Sequence, residues 1–403
     1  MKTIELKKGV SWIGVQDHDL RVFDVIMLTE FGTSYNSYLV EGTEKTALVE
    51  TVKLKFWDAY LEKLKQTTDL KKIDYLVVNH TEPDHVGSVE KLLELIPDVT
   101  IVGSAAAIKF LKGIANKEFK SMVVTGPESL DLGGKTLKFI QAPFLHWPDS
   151  IYTYLEEDKT LFTCDSFGAH YAFDGVLLSK LEDRTGYHKA LRYYFDMIFG
   201  PFKPYMLAAI EKIQNLDLDL ICTGHGPVLD VDPMEIVELS RQWATEENPN
   251  PRPSIVVPYV SAYGYTEMMA KEIRRAIAES YPGKVDVHLY DLVTADMGEV
   301  MDRIYWADGL LFGSPTINSD VLPPIWNLLV SLNPIVHGKK HASAFGSYGW
   351  SGEAVKNIEA RLKQLRFKVT PGLKIVFKPN PEELLETYRF GQDFAKTLLD
   401  DLA

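Results

Sequence analysis

Between residues 10 and 52, apolar and polar positions alternate in four short stretches, VSWIGV, RVFDVIML, TSYNSYLVEG and KTALVETV. Alternation rich in β-branched residues predicts half-buried strands, and Gly42-Thr43-Glu44-Lys45 between the last two predicts a turn. Residues 54–66, LKFWDAYLEKLKQ, change to helical spacing. A continuous apolar run from Ile73 to Val78 predicts a fully buried strand, and Val86, Val89, Leu92, Leu93 and Ile96 predict a helix soon after it. Strands resume at VTIVGS (99–104), with a helix from Ala105, and continue through SMVVTG, KTLKFIQAP, SIYTYLEE and TLFTCD. Residues 175–247 read as mainly helical, interrupted by LDLICTGHG at 218–226. A strand-rich layer with interspersed helices predicts an α/β or α+β sandwich.

The rhythm changes at Asn248-Pro249-Asn250-Pro251-Arg252-Pro253. Prolines at alternate positions continue neither a helix nor a central strand, so residues 249–253 read as a stiff linker between domains 1–248 and 254–403. In the second domain SIVVPYV, KVDVHLY, GLLFGS, ASAFGS and LKIVF alternate with helical segments. That predicts an α/β, doubly wound parallel sheet.

The 403 residues fit two or three domains, with 46% hydrophobic and 25% charged positions. A net charge of −13, from 43 basic and 56 acidic residues, argues against a broad nucleic-acid footprint. No apolar run reaches the length of a membrane span. The start, MKTIELKKGVSWIGV, lacks a long signal-peptide apolar region, so the expectation is cytoplasmic. The two cysteines, Cys164 and Cys222, lie far apart, which excludes a CxxC rubredoxin-like or iron–sulfur centre and leaves small buried hydrophobes.

The chemistry concentrates where the Ile73–Val78 run ends. His80, Glu82, Asp84 and His85 are four possible metal ligands within six residues, and Pro83 among them calls for a shaped loop rather than continued strand. A buried set of two carboxylates and two imidazoles is costly without a cation. The alternative is a solvated polar loop. His146 follows KFIQAP, Asp165 follows Leu161-Phe162-Thr163-Cys164, and His225 lies between Gly224 and Gly226 after LICTG. Each alone reads as a structural histidine or a cap. Together the seven are too many for one tetrahedral ion and suit two ions sharing a carboxylate. The first cluster has the pattern of the metallo-β-lactamase superfamily, whose hydrolases usually carry histidine where this chain has Glu82. A harder anionic donor at that place moves the preference toward iron. His18, His188, His337 and His341 have no neighbouring ligands and read as surface or structural; His170 is a candidate to support the centre from behind.

In the second domain Ser261, Tyr263, Gly264, Tyr265 and Thr266 form a strand-to-helix turn, with Thr266 opening the helix. Hydroxyls and backbone N–H groups at a helix start bind phosphate. No GxGxxG and no Gly-Lys-Ser/Thr occurs, which disfavours dinucleotide and P-loop readings. Two further loops follow strands: Gly313, Ser314, Pro315, Thr316, Ile317 and Asn318, then Ser347, Tyr348, Gly349, Trp350, Ser351 and Gly352. Such loops line the ligand crevice of an open α/β sheet, and Tyr348 and Trp350 offer faces to a flat ring. Ordinary strand-to-helix turns are the alternative, weakened by three such loops occurring together.

These loops resemble flavodoxin, which binds FMN. With the Glu-containing cluster, His146-Trp147-Pro148-Asp149-Ser150 and Gly313-Ser314-Pro315-Thr316 plus Asn318, nearly the whole chain resembles the flavodiiron proteins, or A-type flavoproteins. The resemblance implies an N-terminal αββα metallo-β-lactamase-like sandwich followed by a flavodoxin-like domain. It implies one iron on His80, Glu82 and His146, another on Asp84, His85 and His225, and Asp165 bridging. The implied activity is reduction of dioxygen to water, or of nitric oxide to nitrous oxide, at a di-iron site fed by FMN. With the chain ending at Ala403, a separate donor is expected, rubredoxin or a reduced deazaflavin coenzyme. A head-to-tail homodimer is implied as well, with a dimer of dimers as the larger assembly. Nothing in the sequence folds the flavin loops back over their own metal cluster. Glu82 and Trp147 are candidates for the wall between flavin and metals, and Tyr194 for the substrate pocket. Two rivals share many of these residues: a di-zinc metallo-β-lactamase-type hydrolase with an attached flavodoxin domain, and an electron carrier with a structural metal.

Overall fold

The computed structural model describes residues 3–24 and 27–403. Val25 and Ile26, in the expected 21–28 strand, lie outside the described residues. Two compact units divide at Glu246/Glu247.

The first unit is built on two facing sheets. One has seven strands, in the spatial order Ile4–Lys7, Val10–Trp12, Tyr38–Glu41, Thr46–Val49, Ile73–Val77, Thr100–Gly103 and Lys120–Val123. The other has five: Ser129–Asp131, Thr136–Gln141, Ile151–Leu155, Thr160–Cys164 and Leu220–Thr223. Successive side chains of a strand face opposite ways, and this decides the layers. Tyr38, Val40, Ala47, Val49 and Val77 meet Leu137, Phe139, Ile151 and Phe162 between the sheets. Leu39, Leu48 and Leu76 face outward onto Tyr60, Leu64 and Leu92 of the helices Trp57–Thr67 and Val89–Leu95. On the far side Leu161 and Ile221 cluster with Met206, Ile210 and Ile236 from Lys203–Ile213 and Pro233–Thr245. The result is the αββα order.

Several expected strands are shorter than the sequence suggested. The stretch 10–15 gives Val10–Trp12 and the start of Val15–Asp17, and 33–42 gives Thr33–Tyr35 and Tyr38–Glu41. The cause is Asn36, whose side chain leaves the strand pattern to bind three groups. Its amide donates to the carbonyls of Thr223 (2.9 Å) and Gly226 (3.0 Å), and its oxygen accepts from Trp12 Nε1 (2.9 Å). The freed segments Val15–Asp17 and Thr33–Tyr35 pair as a separate two-stranded ribbon. The expected loop at Pro83 is instead a helical turn, Pro83–Val86, with proline at its first position, where its missing N–H costs nothing. Ser129–Asp131, an edge strand of three residues, was too short to show in the pattern.

The second unit is an all-parallel sheet ordered Asp286–Asp291, Ser254–Tyr259, Gly309–Gly313, His341–Tyr348, then Lys368–Val369 and Leu373–Val376. The second strand in sequence lies outside the first, so the chain reverses direction there, the flavodoxin-like 2-1-3-4-5 order. Apolar clusters fill both faces. Asn248 and Asn250, beside the proline-rich run, donate to the Trp306 carbonyl at 3.0 and 3.2 Å. No helix among the described residues is long and apolar enough to cross a membrane.

Candidate metal centre and flavin edge

Five strand ends and turns carry the seven ligand candidates to one place. His80 and Glu82 follow Ile73–Val77, Asp84 and His85 sit in the helical turn, and Asp165 and His225 follow the adjacent parallel strands Thr160–Cys164 and Leu220–Thr223. His146 comes from the loop after Thr136–Gln141. Gly224 permits the approach: a Cβ there would stand 2.8 Å from His85 Cε1.

The donor atoms form two groups. In the first, His80 Nε2 is 3.5 Å from Glu82 Oε2 and 3.5 Å from Asp165 Oδ2. His146 Nε2 is 2.9 Å from Glu82 Oε2 and 3.6 Å from Asp165 Oδ2. In the second, His85 Nε2 is 3.6 Å from Asp84 Oδ1 and 3.0 Å from Asp165 Oδ1. His225 Nε2 is 3.0 Å from Asp84 Oδ2 and 3.5 Å from Asp165 Oδ1. Bonds of roughly 2.0–2.2 Å to a common ion separate neighbouring donor atoms by roughly 3.0–3.6 Å. Both groups have that spacing, and Asp165 gives one oxygen to each.

The electrostatics agree. Among the described residues, His80 Nε2, both Asp84 oxygens and Asp165 Oδ2 are buried without a hydrogen-bond partner, a costly state that a cation resolves. Burial disfavours charge on His85, but Asp84 and Asp165 outweigh it and push its pKa up to about 10. His80 is held well above its ordinary value, burial being outweighed by hydrogen bonds to Asp149 and Glu82. Asp165 is held well below the carboxylate range against its own burial, by His85, His80 and His225. The field that keeps protons on these imidazoles is the field that would hold cations.

The supporting groups include some the sequence reading missed. Asp149 Oδ2 faces His80 Nδ1 at 3.1 Å and accepts from Thr81 N and Oγ1 at 2.7 and 2.8 Å. His225 Nδ1 faces the Ser34 carbonyl at 2.6 Å. Tyr194 Oη donates to Asp165 Oδ1 at 3.1 Å. His170 Nδ1 is 2.8 Å from Thr33 Oγ1, its Nε2 has no partner among the described residues, and its ring lies 4.3 Å from Phe23 and 4.9 Å from His225. Burial, with His225 close by, holds the His170 pKa well below its ordinary value. Trp147 stands edge-on to His80 at 5.1 Å. Asp149 was in view within the His146 motif; Thr33 and Ser34 carried no signal. Cys164 and Cys222 are free and buried.

In the second unit the three loops leave neighbouring strands at one edge. Thr266 Oγ1 is 3.1 Å from Ser347 Oγ, Thr316 N donates to the Ser347 carbonyl at 2.9 Å, and Ala354 N donates to Thr316 Oγ1 at 3.2 Å. The helix Tyr265–Ser280 begins one residue before Thr266, with Gly264 at its N-cap (φ +80°) and no hydrogen bond from a capping side chain at that position. A Cβ at Gly264 would meet nothing within 4 Å, so open space lies at the helix start. Ser261 Oγ accepts from Glu267 N at 3.2 Å. Ser314 and Pro315 are buried, Ile317 and Asn318 exposed, and Tyr348, Gly349, Ser351 and Gly352 half-buried. Tyr263 and Trp350 are 79% and 94% exposed. Two bare aromatic faces beside a helix start opened by Gly264 fit a flat ring bearing a phosphate.

A lactamase-like sandwich with two adjoining groups of metal-ligand candidates, joined to a flavodoxin-like sheet with three loops at one edge, defines a flavin- and metal-dependent oxidoreductase. Residues 33–226 match the ODP family beta lactamase and residues 257–391 match Flavodoxin. Flavo-diiron protein FprA2 of Clostridium acetobutylicum is 41% identical over 99% of this chain and 100% of its own length. The anaerobic nitric oxide reductase flavorubredoxin of Vibrio vulnificus is 36% identical over 98% of this chain and 80% of its own. The rubredoxin oxygen:oxidoreductase of Desulfovibrio gigas is 30% identical with a TM-score of 0.75, covering 100% of both chains. The chain belongs to the flavodiiron proteins. FMN and a di-iron centre are the cofactors this membership brings, and the redox names of these relatives do not support the hydrolase rival.

Proposed function

We propose that this protein reduces dioxygen to water or nitric oxide to nitrous oxide, with FMN feeding two irons. His80, Glu82 and His146 hold one iron, Asp84, His85 and His225 the other, and Asp165 joins them. The observation that carries the reading is the division of Asp165, with Oδ2 in the first group and Oδ1 in the second. Two ferrous ions and a two-electron flavin together supply the four electrons that take dioxygen to two waters, or the two that join a pair of nitric oxide molecules as nitrous oxide and water. Tyr194 steadies Asp165 through its hydroxyl, His170 presents a neutral Nε2 beside the centre, and Phe23 covers the His170 and His225 rings against water. The flavin loops Ser261–Thr266, Ser314–Asn318 and Ser347–Gly352 bind FMN, Thr266 and Gly264 at its phosphate and Tyr348 and Trp350 at its ring.

Rubredoxin or a reduced deazaflavin coenzyme is the donor in this reading, the cytoplasm the setting, and a head-to-tail homodimer the assembly. The names of two relatives, one a flavorubredoxin and one a rubredoxin oxygen:oxidoreductase, support the rubredoxin donor. Purified without oxygen, the protein should hold two irons and one FMN per chain and turn over both gases with a rubredoxin donor. Zinc at full occupancy in protein made with iron in excess, without loss of activity, would overturn the proposal.

A further inference from the structure

The two ligand groups match in number but not in what stands behind them. In the first, His80 Nδ1 points at a carboxylate: Asp149 is wholly buried, and its Oδ2 lies 3.1 Å away. Nε2 faces Glu82 and Asp165, and the Asp149 carboxylate can only accept, so with Nε2 ligating a cation Nδ1 carries the proton and donates it to Asp149. A carboxylate behind a ligating imidazole raises its basicity. In the second group the corresponding acceptor for His225 is the neutral Ser34 carbonyl at 2.6 Å, with Thr33 Oγ1 at 3.4 Å. His85 Nδ1 has no partner among the described residues. The Tyr194 hydroxyl also acts on this side, donating at 3.1 Å to Asp165 Oδ1, the oxygen that belongs to the second group. A hydrogen-bond donor withdraws density from the oxygen it touches. One side is thus enriched in electron density and the other depleted, and second-layer hydrogen bonds tune the potentials of iron sites.

We propose that Asp149 and Tyr194 make the two iron positions unequal, so that the first electron settles at the position held by Asp84, His85 and His225. The inference rests on the di-iron reading above. In the step, one electron enters from a one-electron donor, one ferric ion becomes ferrous, no bond breaks, and the Nδ1 proton stays between His80 and Asp149. Asp149 and Tyr194 act as positioning residues, through His80 and Asp165.

The test is a redox titration of the iron-loaded, oxidised protein, followed by the paramagnetic resonance signal of the half-reduced pair. The maximal yield of that signal reports the gap between the first and second potentials. Asp149→Asn removes the charge behind His80, raises the second potential and narrows the gap, lowering the comproportionation constant about tenfold, or about 59 mV for a one-electron couple. Tyr194→Phe lowers the first potential and narrows the gap too. Thr81→Val removes one of the donors competing for Asp149 Oδ2, strengthens its bond to His80 and widens the gap. A site merely damaged by substitution would not give opposite signs for Asp149→Asn and Thr81→Val. If the first electron settles on the His80 side, all three signs reverse, and the inference is overturned. It is also overturned if neither potential moves. A protein with full iron and no half-reduced signal at any potential would instead count against the di-iron reading itself.

Discussion

Glu50 offers a quantitative check on the interior behind the metal centre. It follows the strand Thr46–Val49 with φ +59°, is 1% exposed, and stands outside both ligand groups. Its Oε1 accepts from Asn79 N at 2.7 Å, which fixes the chain one residue before His80, while Oε2 has no partner among the described residues. Burial, only partly opposed by the His85 charge, the Asn79 hydrogen bond and the His80 charge, pushes its pKa from 4.5 up to about 8. Between these two pH values the folded chain keeps a proton that the unfolded chain has released. Unfolding free energy therefore falls as pH rises through the window. The window spans roughly 3.5 pH units at about 1.4 kcal/mol each, so ionising Glu50 in the folded chain costs about 5 kcal/mol, to order of magnitude.

Glu50→Gln keeps an acceptor for Asn79 N and removes the titration. In iron-free protein, urea unfolding of wild type and variant should be compared from pH 5 to 9. The variant should gain on the wild type steadily above about pH 5 and level off near pH 8–9, by up to about 5 kcal/mol. His80, His85 and Asp165 titrate in both proteins and largely cancel in the difference. Loading with iron should flatten the slope, because added cations favour the ionised carboxyl. A difference between the two proteins that stays constant across this range would refute the reasoning.

Glu82→His replaces the hard anionic donor, so metal content should move from iron toward zinc and gas reduction should collapse while the circular dichroism spectrum persists; retained iron with wild-type turnover would refute the role given to this residue. Gly264→Asp places a carboxylate in the open space at the helix start and should abolish FMN retention, read by flavin absorbance after gel filtration. Assembly is checked with forced heterodimers of a metal-free chain (His80→Ala with His146→Ala) and an FMN-free chain (Thr266→Ala with Gly264→Asp). Transfer between chains should return about half of the wild-type activity, since a twofold dimer offers two such pairs; a silent heterodimer with both remaining cofactors in place would exclude it.

The sequence made the ligand candidates readable because ligand chemistry is carried by side-chain type and strand ends collect it. His80, Glu82, Asp84 and His85 stand within six residues, and Asp165 and His225 each follow an apolar run that could only be a strand. The doubly wound second unit was readable for a similar reason: five apolar runs, each separated by a helical period. Strand ends were less legible. Nothing in TSYNSYLVEG shows that Asn36 turns away to bind Thr223 and Gly226, nearly two hundred residues further on. Alternation continues through it, so the pattern predicts one strand where a long-range hydrogen-bond requirement makes two.

The groups behind the ligands were hidden more deeply, and the reason is chemical. His225 is oriented by a backbone carbonyl, that of Ser34, and every residue owns one, so no residue type at position 34 could announce it. Asp149 differs in being a carboxylate three residues after His146, yet its partner is His80, on another strand end. Spacing along the chain cannot separate a carboxylate that binds metal from one that binds the histidine doing so; only the contact with Nδ1 separates them. The same limit covers Tyr194, whose hydroxyl could have reached either oxygen of Asp165. Which oxygen it reaches decides which of the two ligand groups it acts on, and only the contact, Oδ1 here, tells.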